Sequence, residues 1–179
     1  LHDALPISQT SLTGGGSPRE QGDTAVIDMR MQKQILGQAG SADAGGTITV
    51  QAGLTVNELQ QHLNRLGQDY PAGPTHDGAT VGGIIATNAG GPKTFRYGQT
   101  RDWVQALTVV LADGSVLDIP RGAFFAHPNG YFELEYPDGR VATVPLPRYT
   151  APNLAKVSAG YNLHDGDLIN LFIGAESTL

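Results

Sequence analysis

Hydrophobic residues recur with a helical period in one segment of the chain. They are spaced three or four residues apart, which places them on one face of an α-helix. The apolar positions are Val56, Leu59, Leu63 and Leu66. Thr55 and Glu58 form a capping-box pattern, in which each side chain bonds the other residue's backbone amide. The pattern predicts an amphipathic helix that begins after Thr55 and ends before Gly67.

Shorter segments have patterns typical of β-strands. Residues 47–52 alternate apolar and polar side chains, as a half-buried strand does, and residues 25–29 form a short apolar run that predicts a buried strand. Two hairpins are predicted around turns at 113–114 and 137–139. Their strands are residues 104–111 with 115–119 and 131–136 with 140–144, and an extended linker follows at 145–147. Strands outnumber helices and are joined partly by hairpins, which favours the α+β class over a doubly wound parallel sheet.

The segment 80–91, Thr-Val-Gly-Gly-Ile-Ile-Ala-Thr-Asn-Ala-Gly-Gly, contains two glycine pairs. Glycine accepts positive φ, so we interpret the pairs as a loop whose successive N–H groups make a concavity for an anion. Thr80, Thr87 and Asn88 add side-chain donors. The segment therefore predicts a phosphate-bearing cofactor.

Composition narrows the class of protein. The 179 residues suit one domain, the net charge is −6 with no basic stripe, and there is no cysteine. We therefore expect no nucleic-acid partner, no disulfide and no thiolate metal site.

No apolar run approaches the roughly 18 residues that span a bilayer. We expect a cytoplasmic protein and leave peripheral membrane association open. Residues 1–8 have no clear period or cap, and we interpret them as foreign or mis-joined sequence.

Other motifs exclude or leave open particular chemistries. The chain has neither G-x-G-x-x-G nor G-x-x-x-x-G-K-[ST], which excludes Rossmann and P-loop sites of the usual kind. Residues 164–167, His-Asp-Gly-Asp, are interpreted as a turn, and no metal is expected. His76 and Asp77 could face a pyrophosphate or a substrate, or be merely solvated. Arg96 and Arg101 could bind phosphate, although pairing with Asp102 is favoured.

Three segments in order resemble the flavin-binding domain of the vanillyl-alcohol oxidase/PCMH-type FAD-linked oxidoreductases. They are residues 9–15 (QTSLTGG), residues 79–91 running on into 96–102 (RYGQTRD), and residues 171–179 (LFIGAESTL). The resemblance falls within the branch of glycolate oxidase, D-lactate dehydrogenase and alkylglycerone-phosphate synthase, and it covers about residues 9–179. It implies a PCMH-type fold of two small α+β subdomains, here truncated at both ends.

The resemblance also implies a set of residues that bind FAD. The first and second segments would hold the pyrophosphate, and the third would close over the adenosine side. The implied residues are Thr10, Ser11, Thr13, Gly14, Gly15, Pro74, Thr75, Thr80, Val81, Gly82, Gly83, Thr87, Asn88, Gly90, Gly174, Glu176 and Thr178. Some relatives attach flavin through a loop histidine or a cysteine. The first loop has no histidine and the chain has no cysteine, so we expect noncovalent FAD.

The implied function is that of a flavin-dependent oxidoreductase acting on a small 2-hydroxy acid such as D-lactate or glycolate. In this family a separate C-terminal cap domain supplies the groups that bind and deprotonate substrate, and we expect that domain to be absent here. No catalytic residue is therefore assigned, and the electron acceptor is unknown. Two alternatives stay open: a truncated fragment that is inactive alone, and a flavoenzyme like alkylglycerone-phosphate synthase.

Overall fold

The structure is a computed structural model that describes residues 27–41, 45–136, 139–146, 161–162 and 166–176. These residues contain six strands, four short α-helices and one 3₁₀ helix. The first of two compact units ends at Trp103 and also includes Glu176, and the second begins at Val104. The elements are β1 (Ile35–Ser41), β2 (Gly45–Val50), α1 (Val56–Asn64), α2 (Val81–Ala86), α3 (Thr94–Tyr97), a 3₁₀ helix (Thr100–Trp103), β3 (Ala106–Val110), β4 (Val116–Pro120), β5 (Tyr131–Glu135), β6 (Val141–Pro145) and α4 (Ile169–Phe172). The mixed composition is that of the predicted α+β class. Among the described residues, no helix is both long and apolar enough to cross a membrane.

The first unit begins with the antiparallel pair β1 and β2, which runs from Ile35↔Val50 to Ser41↔Gly45. Strand β2 confirms the strand predicted at 47–52. The prediction of a buried strand at 25–29 is wrong for residues 27–29, which have no regular structure and include an exposed Ile27. Residues 25 and 26, like all of 1–24, lie outside the described residues.

Helix α1 forms as predicted, with both halves of the capping box in place. Glu58 N donates to Thr55 Oγ1 over 3.1 Å, and Thr55 N donates to Glu58 Oε2 over 3.0 Å. The apolar face packs into two small clusters. One contains Leu54, Leu59 and Leu63 with Ile48, Val50, Tyr70 and Val81, and the other contains Val56, Ala79 and Ile84 with Tyr70 and Ala89. Leu66 lies beyond the helix and is exposed, so its predicted place on the buried face is wrong.

The second unit contains both predicted hairpins. Strands β3 and β4 pair from Ala106↔Pro120 to Val110↔Val116, and β5 and β6 pair from Tyr131↔Pro145 to Glu135↔Val141. Phe132 and Leu134 are buried, whereas Glu133 and Glu135 are exposed, as the alternation predicts. Strand β6 extends through Pro145, so the predicted start of the linker at residue 145 is wrong. Proline is tolerated there because β6 is an edge strand of its two-stranded sheet.

A buried carboxylate connects the residues before α4 to the residues that follow β4. Asp167 is 2% exposed, and its Oδ2 accepts from Gly122 N over 2.8 Å. Arg121 Nη1 lies 4.0 Å from the same oxygen, and its Nε donates to Val104 O over 2.7 Å. In the described part of the chain no group of three or more potential ligands could hold a metal ion.

Candidate cofactor-binding site

The glycine-paired segment is a short capped helix, not the loop that we predicted. Thr80 precedes α2, and its Oγ1 accepts from Gly83 N over 3.2 Å. Gly82 and Gly83 therefore have helical backbone angles, and neither is among the glycines with positive φ. Gly82 is needed for a different reason, because a Cβ there would lie 2.8 Å from Ala52 Cβ. The helix packs directly against the backbone at Ala52.

The first amides of α2 already have acceptors within the protein. Val81 N donates to Leu54 O and Gly82 N donates to Ala52 O, both over 2.8 Å. Gly83 N is taken by Thr80, as described above. These three amides cannot also cradle an anion unless those bonds break. Thr80, Val81, Gly82 and Gly83 thus fix the position of α2 through protein contacts.

Asn88, two residues after the end of α2, has a left-handed backbone, at φ 46°. Asparagine tolerates this conformation better than most residues. Its side chain is buried, and both ends of the amide are engaged: Nδ2 donates to Gln99 Oε1 over 2.8 Å, and Oδ1 accepts from Arg101 N over 3.1 Å. Asn88 therefore ties the end of α2 to the start of the 3₁₀ helix.

Two further residues, Thr100 and Tyr70, extend this connection. Thr100 Oγ1 donates to Ala89 O over 2.8 Å and accepts from the Tyr70 hydroxyl over 3.2 Å. Burial raises the pKa of the Tyr70 hydroxyl, and its hydrogen bond to Thr100 partly opposes that shift. Gln99 Nε2 is buried and has no hydrogen-bond partner among the described residues. Sequence patterns gave no signal for Tyr70. They assigned no role to Gln99 or Thr100, although both lie in the 96–102 segment, because the bonds join positions up to thirty residues apart.

Arg96 and Arg101, which lie close in sequence to the hydrogen bonds between α2 and the 3₁₀ helix, do not form the predicted ion pair with Asp102. Arg96 lies over the ring of Tyr97, 5.1 Å from its centroid. Asp102 Oδ2 instead accepts from Gln99 N over 2.8 Å. Arg101 is buried, and in the described part of the chain neither arginine is ion-paired with Asp102.

Residues 75–78, Thr-His-Asp-Gly, form an exposed loop that we call the 75–78 loop. Asp77 O accepts from Asn57 N over 2.8 Å, and His76 O accepts from Ala79 N over 3.3 Å. In the part of the chain that the structure describes, the four backbone amides of this loop have no acceptor. Exposed backbone amides without an acceptor can donate to phosphate oxygens, so this donor set fits the diphosphate of a nucleotide cofactor.

The remaining predicted site residues divide into three groups. Pro74, Thr87 and Gly90 are half-buried on either side of α2, and Thr87 Oγ1 donates to Gly83 O over 3.0 Å. Glu176 N donates to Ala86 O over 2.9 Å, which brings Glu176 to the end of α2, while Gly174 has φ 86°. The third group lies outside the described residues and comprises Thr10, Ser11, Thr13, Gly14, Gly15 and Thr178.

Comparison with known proteins identifies the family. The sequence model of a family described as "FAD binding domain" matches residues 5–120, more than half of the chain. The match and the α+β fold together define a flavin-nucleotide-binding domain. The chain belongs to the FAD binding domain family, and FAD is the cofactor of that family. The predicted family, fold class and cofactor are thereby confirmed.

Curated relatives extend the match over nearly the whole chain. A D-lactate dehydrogenase of Anaerostipes hadrus is 33% identical over 96% of this chain and 28% of its own length. Glycolate oxidase subunit GlcD of Bacillus subtilis is 32% identical over 96% of this chain and 28% of its own length. A probable mitochondrial D-lactate dehydrogenase of Danio rerio is 37% identical over 99% of this chain and 29% of its own length. The chain thus spans between a quarter and a third of these relatives' lengths.

A solved structure has the same fold. An alkyldihydroxyacetonephosphate synthase aligns with 98% of this chain and 25% of its own, with a TM-score of 0.58 and 18% sequence identity. At that identity the likeness concerns the fold alone.

Proposed function

We propose that this chain is the FAD-binding part of a flavoenzyme that oxidises a small 2-hydroxy acid. The observation that carries the proposal is the match, over nearly the whole chain, to dehydrogenases and an oxidase whose names specify D-lactate and glycolate. A D-2-hydroxyglutarate dehydrogenase of Bos taurus, 30% identical over 95% of this chain, specifies a third 2-hydroxy acid. Bound FAD would supply the acceptor for the hydride equivalent from the substrate's α-carbon.

The residues of this chain would bind and orient the cofactor. We assign the diphosphate to the open amides of the 75–78 loop together with the predicted first loop at Thr10, Ser11, Thr13, Gly14 and Gly15. In this proposal α2 and Asn88 hold the neighbouring backbone in place and act on FAD through that position. The support is that their donors are engaged within the protein, whereas the loop amides are open.

Attachment of FAD is proposed to be noncovalent, because the chain has no cysteine and the first loop has no histidine. The proposal includes a separate cap domain, outside this chain, that binds the hydroxy acid. A cytoplasmic location is part of the same proposal. A flavin that supports carbon–oxygen exchange, as in a synthase, is not favoured, since the synthase likeness rests on the fold alone.

Anaerobic titration of the full-length protein tests the proposed reaction. D-lactate, glycolate or D-2-hydroxyglutarate should bleach the oxidised flavin absorption within the time of mixing, and the L-enantiomers of the chiral acids serve as controls. A protein that holds FAD but whose spectrum does not change with any of the three acids would contradict the 2-hydroxy-acid assignment. Such a result would leave FAD binding itself intact.

A further inference from the structure

The 75–78 loop has open backbone donors, and two of its carbonyl acceptors are engaged within the first unit. The carbonyls of His76 and Asp77 accept from Ala79 N and Asn57 N, within the first unit. The amides of residues 75–78 have no acceptor in the described part of the chain, and all four residues are exposed. With two of its four carbonyls bound and all four amides open, the loop has more open donors than open acceptors, which suits an anion better than a cation.

The side chain of His76 folds back over this same loop. A Cβ added at Gly78 would lie 2.9 Å from His76 Nε2 and 3.2 Å from Cε1. The imidazole therefore lies close to Gly78, although His76 as a whole is exposed. Only a residue without Cβ allows this close approach.

Few other charged groups accompany the imidazole. Within the loop the one acidic side chain is Asp77, and α2 contains no charged residue. Glu58 lies on α1, which bonds to the loop through Asn57, but its carboxylate is held by Thr55. The donors of the loop and of His76 are therefore opposed by a single carboxylate in the loop itself.

We propose that His76 donates a hydrogen bond from its imidazole to a diphosphate oxygen of FAD, beside the amides of the 75–78 loop. The proposal rests on the proposed function, since it assigns a further contact at the same cofactor site. The contact is exposed, and exposed contacts of this kind change affinity by up to about 5-fold.

Fluorescence titration of FAD into the full-length apoprotein tests the proposal. His76→Phe keeps a ring but removes the donor, and we expect it to weaken FAD binding about 3- to 5-fold. His76→Lys returns a donor and should restore affinity to within about 2-fold of the wild type. Gly78→Ala displaces the ring and should weaken binding as His76→Phe does.

His62→Phe is the matched control, because His62 is also exposed but lies on α1, where its ring contacts Gln38. That variant should bind FAD as the wild type does. The proposal is overturned if His76→Phe leaves FAD affinity unchanged, or if His76→Lys stays as weak as His76→Phe. A wild-type protein that does not bind FAD at all would contradict the proposed function, and this contact with it.

Discussion

At the scale of single residues, Gly82 and Asn88 determine how the glycine-rich segment folds. The sequence suggested that the glycines supply positive φ, but that conformation belongs to Asn88, and Gly82 instead allows close packing. The sequence of a glycine pair does not show whether the glycines are needed for positive φ or for close packing. Only the position of Ala52, about thirty residues earlier, distinguishes the two.

We predict that Gly82→Ala destabilises the first unit. Alanine favours a helix over glycine by about 1 kcal/mol, but crowding at a close contact costs typically 1–3 kcal/mol. Since the added Cβ would lie 2.8 Å from Ala52 Cβ, the crowding should prevail, with a net loss of about 1 kcal/mol. Urea denaturation measures this change in the free energy of unfolding. Gly37→Ala is the control, because a Cβ there has open space, and a Gly82→Ala protein as stable as that control would contradict the packing argument.

We predict a stability order at position 88 of Asn, then Gly, then Ala. Asn88→Gly keeps the left-handed backbone but removes the side-chain amide. Each buried group that loses its hydrogen-bond partner lowers the free energy of unfolding by about 1–3 kcal/mol. Asn88→Ala adds the cost of a left-handed alanine, about 1 kcal/mol more. Thermal unfolding of the three proteins gives the order. An alanine variant as stable as the glycine variant would show that φ at this position is unimportant.

At the scale of elements, the sequence predicted those parts that depend on neighbouring residues. Helix α1 and both hairpins follow from a capping box, a helical period and turn dipeptides, all of which act over a few residues. Strand β1 was not predicted, because its sequence, Ile-Leu-Gly-Gln-Ala-Gly-Ser, does not alternate apolar and polar residues. Its pairing with β2 involves residues that are distant along the chain. Helix α2 was missed because its two glycines oppose helix formation, and contacts with Leu54 and Ala52 stabilise it.

The capping box of α1 predicts a pH-dependent contribution to stability. The backbone amide of Thr55 lowers the pKa of Glu58 below its ordinary value of 4.5. A lowered carboxylate pKa stabilises the folded state above the unfolded pKa, and the effect is lost as the pH falls through the folded pKa. Glu58→Gln should therefore reduce the loss of stability on acidification below about pH 4.5.

Denaturation midpoints at pH 7 and pH 3.5 measure this effect. Glu133→Gln is the control, since Glu133 is an exposed glutamate on β5 with no cap to stabilise. If Glu58→Gln and Glu133→Gln change the pH dependence equally, the stabilisation does not come from the capping box.

At the scale of the whole molecule, the candidate site combines local and distant contributions. The three spaced segments identified the family and the cofactor, which the family match confirms. The sequence did not distinguish residues whose donors are open from residues whose donors are engaged within the protein. Hydrogen bonds between distant segments, such as Tyr70 with Thr100 and Asn88 with Arg101, determine that distinction.

The central claim is that the protein binds FAD without a covalent link. The most direct measurement is the absorption spectrum of the purified full-length protein before and after acid precipitation. We predict flavin bands in the native protein and release of all the colour into the supernatant. Colour that stays with the precipitate would contradict noncovalent attachment, and a colourless protein that takes up no added FAD would contradict the account as a whole.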